Sequence, residues 1–118
     1  MAKILIADDA AFMRMKSASL VKELGHDVVE AEDGAQAVEM YQSEKPDAVL
    51  MDITMPNMDG MEALQAILKL DPKAKIAMVT AMGQQQVIME AIKAGAKDFV
   101  VKPFDADRIQ SALWKLVG

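Results

Sequence analysis

Four short apolar runs in this chain each end in a polar side chain that can bind a metal ion or a phosphate group. The runs cover residues 4–7, 48–51, 76–79 and 99–101, and the side chains that follow them are Asp8 with Asp9, Asp52, Thr80 and Lys102. Short apolar runs bounded by polar residues are typical of buried strands. In an open parallel sheet, ligands bind beyond the carboxyl ends of the strands. We therefore expect these side chains to meet in one crevice.

The sequence between the runs predicts a regular alternation of strands and helices. A further short strand is expected at 28–31, and apolar residues at helical spacing predict helices at about 11–24, 35–43, 61–70, 84–94 and from 105 onward. Gly25 and Gly95 are expected to end the first and fourth helices, and Asp105 to cap the last one. Five strands alternating with five helices predict an α/β fold, a doubly wound sandwich with helices on both faces of a parallel sheet.

The inward faces of two helices are predicted from the same spacing. In the first helix the expected apolar face consists of Met13, Leu20, Val21 and Leu24. In the last helix the residues expected to face the core are Ile109, Ala112, Leu113 and Leu116.

Composition restricts the class of protein further. We expect 118 residues, 53% of them hydrophobic, to form a single domain spanning 1–118 with a real core. The net charge of −5 argues against nonspecific nucleic-acid binding. The absence of cysteine fits a cytoplasmic location. We expect no membrane insertion, since no apolar stretch approaches the roughly 20 residues that span a bilayer, and no signal peptide, since the first three residues lead directly into a strand.

The acidic residues at the strand ends predict a site for a divalent cation. Asp8, Asp9 and Asp52 would repel one another in a small crevice, and a cation relieves that repulsion. Ligands that are all oxygen indicate Mg²⁺, which keeps several waters and shares its coordination with phosphate. A zinc site is disfavoured because cysteine is absent and the lone His26 lies in another loop. An alternative role for Asp9 is to cap the first helix.

The same crevice has the groups needed for phosphoryl transfer to a carboxylate. Asp52 is the candidate nucleophile, because a carboxylate can attack phosphorus and form an acyl phosphate. Lys102 would offer positive charge to one phosphoryl oxygen, and Thr80 a hydrogen bond to another. Taken singly, Lys102 could be a surface lysine and Thr80 an ordinary strand-end hydroxyl. Pro103 keeps Lys102 out of helical geometry, and a cis peptide bond is possible between them.

Taken together, these motifs resemble the receiver domain of bacterial two-component response regulators, and in particular the stand-alone chemotaxis members. The resemblance covers the whole chain and rests on Asp8-Asp9, Asp52 within Met51-Asp52-Ile53-Thr54-Met55-Pro56, Gly60, Thr80-Ala81, Gly95-Ala96 and Lys102-Pro103-Phe104. It implies a flavodoxin-like (βα)5 sandwich with strand order 2-1-3-4-5. It also implies that Asp9, Asp52 and the backbone carbonyl of Thr54 bind Mg²⁺ directly, with Asp8 acting mainly through water.

The resemblance implies a phosphorylation-driven signalling switch, which catalyses only its own phosphorylation and dephosphorylation. A histidine kinase or a small acyl phosphate would phosphorylate Asp52, Thr80 would move inward, and Phe99 would fill the vacated space. Phe99 stands where the chemotaxis pattern has Tyr, so it could instead be plain core. The surface of the fourth helix, fifth strand and fifth helix would bind a downstream protein such as a flagellar-motor component. Trp114 and the Gln84 end of the fourth helix are placed on that surface.

Other functions stay open at this point. The chain could be a phosphorelay intermediate or a phosphate sink, and a phosphatase could act on it; we expect a monomer. A Mg²⁺-dependent aspartyl-phosphate phosphatase is disfavoured because Thr54 stands where such enzymes carry a second Asp. A flavodoxin-like cofactor carrier is disfavoured because Asp8 and Asp9 would repel a flavin phosphate. Thr54 and Met82 are expected to tune phosphoryl lifetime, since Thr54 lacks the charge to orient water and Met82 would cover the phosphoryl group. Thr54→Asn with Met82→Glu should then speed dephosphorylation on the order of tenfold.

Overall fold

The computed structural model describes residues 2–81 and 84–118 and contains a five-stranded parallel sheet. The strands are β1 (Lys3–Ala7), β2 (Asp27–Ala31), β3 (Ala48–Asp52), β4 (Ile76–Thr80) and β5 (Asp98–Val101). Their order in the sheet is β2-β1-β3-β4-β5, which confirms the predicted topology. The strands after β1 are added first on one side of it, as β2, and then on the other, as β3, β4 and β5. Such a switch in strand order opens a crevice at the carboxyl edge of the sheet.

Five helices connect and follow the strands and cover both faces of the sheet. They are α1 (Ala11–Glu23), α2 (Gly34–Glu44), α3 (Gly60–Leu70), α4 (Gln85–Ala94) and α5 (Ala106–Val117). Buried residues of α2, α3 and α4 pack in one core, and those of α1 and α5 pack in the other. Among the described residues, no helix combines the length and apolarity that crossing a membrane requires.

The central strands are apolar along their whole length because both of their faces are covered. In β1, Leu5 and Ala7 join the core beneath α2, α3 and α4, whereas Ile4 and Ile6 join the core beneath α1 and α5. This alternation follows from the two-residue period of a strand. All residues of β3 and β4 are buried, including the polar Asp52 and Thr80 at their ends.

The strand register aligns the ends from which the candidate site is built. Ala7 of β1 lies opposite Met51 of β3, and Met51 lies opposite Met78 of β4. Thr80 lies opposite Val101, the last residue of β5. The residues that follow or end these strands therefore reach the same edge of the sheet.

The predicted helix faces are right for α5 and partly wrong for α1. Ile109, Ala112, Leu113 and Leu116 are all buried, and Asp105 caps α5 by accepting a hydrogen bond from the backbone N–H of Arg108. In α1 the buried residues are Ser17, Ala18 and Val21, while Met13, Leu20 and Leu24 are only half-buried. Small residues let α1 approach the sheet closely, so its contact face is displaced from the one that the large apolar residues predict.

Candidate functional site

The carboxyl edge of the sheet brings the three predicted acidic residues together. Asp8 follows β1, Asp9 is next to it, and Asp52 ends β3. One carboxylate oxygen from each lies within 4.8 Å of the other two. Asp8 and Asp52 are buried and Asp9 is exposed, so the cluster opens to solvent on one side.

A tight turn after β1 orients the first two carboxylates. Oδ1 of Asp8 accepts a hydrogen bond from the backbone N–H of Ala10 at 2.9 Å, as an aspartate does when it stabilises a turn. Ala10 itself occupies the cap position of α1. The alternative in which Asp9 caps this helix is therefore wrong, and the oxygen that Asp9 offers lies in the carboxylate cluster instead.

Lys102 lies between two of the carboxylates. Its Nζ is 3.3 Å from Oδ2 of Asp8 and 3.2 Å from Oδ2 of Asp52. The reading of Lys102 as an ordinary surface lysine is therefore wrong. Its backbone N–H donates to the carbonyl of Thr80 at 2.7 Å, which fixes the residue at the end of β5. The Lys102–Pro103 peptide bond is cis, as the sequence allows.

Burial and like charge shape the electrostatics of this cluster. Burial raises the pKa of Asp52 to about 6; the charge of Lys102 opposes this rise and the charge of Asp8 adds to it. Burial pulls the pKa of Lys102 down, but the carboxylates of Asp52 and Asp8 together hold it above its usual range. Three carboxylates face one ammonium group, so the site has excess negative charge that a bound cation would offset.

Thr80 is fully buried at the end of β4, where its hydroxyl contacts Gln84, a residue that the sequence places on the partner-binding surface but not in the site. Its Oγ1 lies 2.5 Å from Oε1 of Gln84 and 3.1 Å from the carbonyl of Ala81. Oε1 of Gln84 also accepts the backbone N–H of Ala81 at 2.9 Å. Gln84 is one of three consecutive glutamines, and nothing in that run marks which of them reaches back to the sheet.

Arg14 is a second residue that sequence reasoning missed. Its Nη1 donates to the backbone carbonyl of Asp8 at 2.7 Å, and its Nε donates to Oε1 of Glu30 at 3.1 Å. The guanidinium thereby fixes the backbone that carries the acidic pair. A basic residue in the first turn of a helix after two carboxylates is a weak signal that could have suggested this contact.

The loop after β3 packs tightly beneath the cluster. The backbone N–H of Gly60 donates to the carbonyl of Ile53 at 2.7 Å, and a β-carbon on Gly60 would lie only 2.0 Å from the carbonyl oxygen of Asp52. Thr54 follows on this loop and is exposed. Met82, the other residue predicted to tune phosphoryl lifetime, lies outside the described residues.

Phe99 lies on β5 at the edge of the sheet, away from both cores. It is 37% exposed, so the reading of Phe99 as plain core is wrong. It lines a groove together with Ala81, Gln84 and Ile88, next to the start of α4. The predicted switch residue thus shares a groove with the start of α4 and with Ala81, the residue after Thr80.

Comparison with known proteins agrees with this geometry. Residues 4–114 match the model of the response regulator receiver domain. The chain belongs to this family. It is 57% identical over 117 residues to the chemotaxis protein CheY of Bacillus subtilis, covering 98% of both chains. It is 54% identical over 115 residues to CheY of Thermotoga maritima, covering 97% of this chain and 96% of that protein. As a receiver domain homologous to CheY, it is a phosphorylation-activated signalling switch of chemotaxis.

Solved structures of receiver domains have the same fold. A receiver domain protein from Clostridium thermocellum superposes with a TM-score of 0.95 at 26% identity and covers 99% of this chain and 94% of that one. The CheX–CheY–BeF3–Mg complex from Borrelia burgdorferi gives a TM-score of 0.92 at 32% identity and covers 98% of this chain and 89% of that one.

Proposed function

We propose that Asp52 accepts a phosphoryl group from a histidine kinase in the presence of Mg²⁺, and that residues 1–118 act as a single receiver domain. The observation that carries this proposal is the position of Lys102 between Asp8 and Asp52, the two buried members of the carboxylate cluster. An ammonium group and a hydroxyl beside a buried carboxylate are suited to stabilise charge on phosphoryl oxygens.

The donor set fits Mg²⁺. Three carboxylate oxygens lie within 4.8 Å of one another, and every candidate ligand is oxygen. We assign direct binding to the carboxylates of Asp9 and Asp52 and the backbone carbonyl of Thr54, with Asp8 acting through water. When bound, Mg²⁺ would offset the excess negative charge and hold a phosphoryl oxygen near Asp52.

In the transfer step, a carboxylate oxygen of Asp52 forms a bond to phosphorus. The bond from phosphorus to the donor, an imidazole nitrogen or an acyl oxygen, breaks, and its electron pair leaves with the donor. With a pKa of about 6, Asp52 is largely ionised at neutral pH and able to attack. Lys102 would pair with a phosphoryl oxygen, and Thr80 would turn its hydroxyl towards another. Water then ends the signal by hydrolysis, at a rate that Thr54 and Met82 tune.

The proposed change in the partner-binding surface begins at the groove that Phe99 lines. Once Thr80 turns towards the phosphoryl group, Phe99 moves inward, and the surface formed by α4, β5 and α5 changes. We propose that the domain is a monomer in the cytoplasm. A flagellar-motor protein or a partner of the CheX kind binds either this surface or the phosphorylation site, and a phosphatase acts on the phosphorylated domain. The Borrelia structure supports a partner of that kind, because it contains CheX with CheY.

Phosphorylation with acetyl phosphate tests the proposal. Intact-mass spectrometry should show one added phosphoryl group in the presence of Mg²⁺, and hydroxylamine should remove it as it does an acyl phosphate. Asp52→Asn should block the addition, whereas Asp107→Asn, which removes an exposed carboxylate on α5, should not. Peptide mapping of the phosphoryl group to a serine or threonine would show that the mechanism is wrong.

Mg²⁺ binding is measured separately by calorimetry. Asp9→Asn should weaken Mg²⁺ binding at least tenfold, because it removes one charged ligand and leaves the fold intact at an exposed position. Asp107→Asn is again the matched control. Unchanged affinity in the Asp9 variant would remove Asp9 from the ligand set.

A further inference from the structure

Gln84 accepts two hydrogen bonds on a single atom. Oε1 lies 2.5 Å from Oγ1 of Thr80 and 2.9 Å from the backbone nitrogen of Ala81. A backbone N–H can only donate, so the atom of Gln84 that faces it is the amide oxygen rather than the nitrogen. The hydroxyl of Thr80 approaches that same oxygen and therefore donates its hydrogen to Gln84.

A hydroxyl has one hydrogen to donate. While the Thr80 hydroxyl donates to Gln84, it cannot donate to a phosphoryl oxygen on Asp52. We infer that Gln84 is a positioning residue that holds Thr80 in its resting direction and competes with the phosphoryl group for this one hydrogen. The inference rests on the proposed function, because it assigns Gln84 a part in the change that phosphorylation of Asp52 starts.

The competition for the Thr80 hydrogen also affects α4, because Gln84 lies at the start of that helix. Its backbone carbonyl accepts the N–H of Ile88 at 3.0 Å in the first turn of α4, while its side chain turns back to the end of β4. Gln84 also lines the groove that contains Phe99 and Ile88. When Thr80 turns towards the phosphoryl group, the Gln84 side chain loses one of the two hydrogen bonds that it accepts. Its attachment to the end of β4 is then weaker. The first turn of α4 and the groove beside Phe99 are then free to rearrange.

Beryllofluoride with Mg²⁺ serves as the probe, because it mimics a phosphoryl group without being hydrolysed. Its affinity is measured by NMR titration of the whole chain. Gln84→Ala removes the closer of the two acceptors at the Thr80 hydroxyl and leaves the carbonyl of Ala81 at 3.1 Å. The variant should therefore bind beryllofluoride about fivefold more tightly, which corresponds to about 1 kcal/mol for one hydrogen bond. The N–H of Ala81 is left to water, since that residue is exposed. Gln65→Ala, at an exposed glutamine on α3, is the matched control and should leave the affinity unchanged.

A double-mutant cycle separates this role from a general effect on α4. If Gln84 acts through Thr80, the effect of Gln84→Ala should vanish when Thr80 is already Ala. An effect of the same size in both backgrounds, or equal affinity of the wild type and Gln84→Ala, would overturn the inference and leave the proposed function standing. Failure of the wild type both to bind beryllofluoride and to accept a phosphoryl group would overturn the proposed function and this inference with it.

Discussion

At the scale of single residues, the absence of a β-carbon at Gly60 allows β3 to end at the carboxylate cluster. A β-carbon there would lie 2.0 Å from the backbone oxygen of Asp52 and 2.8 Å from Cα of Ile53, and neither atom belongs to a flexible side chain. Gly60→Ala should therefore displace the end of β3 and cost about 1–3 kcal/mol of unfolding free energy. Because Asp52 moves with that backbone, Mg²⁺ affinity should fall as well, which calorimetry and urea unfolding measure together.

Gly25→Ala is the matched control for that substitution. Gly25 has a φ of +94° with no atom within 4 Å of its missing β-carbon, so its replacement strains only the local backbone. Stability should fall by about 1–2 kcal/mol from the left-handed conformation, while Mg²⁺ affinity stays unchanged. Equal losses of Mg²⁺ affinity in the two variants would mean that Gly60 has no special effect on the site.

At the scale of elements, α3 begins with a reciprocal cap directly after the loop that follows Asp52. Oδ1 of Asp59 accepts the N–H of Glu62 at 2.9 Å, and Oε1 of Glu62 accepts the N–H of Asp59 at 3.2 Å. Asp59→Ala should cost about 1 kcal/mol, as loss of an N-cap side chain usually does. Glu62→Gln keeps an acceptor at the same place, so urea unfolding should find it close to the wild type. A larger loss from Glu62→Gln than from Asp59→Ala would contradict this account of the cap.

The elements themselves were predictable to different degrees. The strands follow from the apolar runs, because a strand buried on both faces has to be apolar throughout. The inward face of α1 does not follow, since Ser17 and Ala18 lie against the sheet and small residues give little hydrophobic signal. The end of α2 was predicted at about 43 and lies at Glu44, where Lys45 supplies, with φ 48°, the left-handed conformation that glycine more often adopts.

At the scale of the whole molecule, the strand order predicts which residues meet in the carboxylate site better than it predicts which residues lie on the partner-binding surface. Parallel strands end at one edge, so Asp8, Asp52 and Lys102 could be brought together from the sequence alone. Gln84 and Arg14 could not, because their contacts depend on side-chain directions in loops and first helical turns. The placement of Trp114 on the surface of α4, β5 and α5 was wrong. Trp114 lines a cavity with residues beside the end of α1, which are Leu24 and His26.

The charge balance of the site should affect the stability of the whole domain. Burial raises the pKa of Asp52 from 3.8 to about 6, so the folded chain holds this proton more tightly than the unfolded chain does. Ionising Asp52 therefore costs stability, which falls as pH rises from about 4 to about 6 and stays lost above that range. Asp52→Asn has no such proton to lose. Its free energy of unfolding relative to the wild type should rise by on the order of 1–2 kcal/mol between pH 4 and pH 7.5, after allowance for solvent screening.

Urea unfolding of both proteins in a chelator at the two pH values measures this difference, and the carboxylates outside the cluster are the same in both chains. Saturating Mg²⁺ at pH 7.5 should then stabilise the wild type more than Asp52→Asn, because the cation binds the folded carboxylate cluster and offsets its repulsion. A difference that is constant with pH would mean that Lys102 already balances the charge of Asp52 in the folded domain. In that case the cluster would have no unbalanced charge from Asp52 to favour a cation.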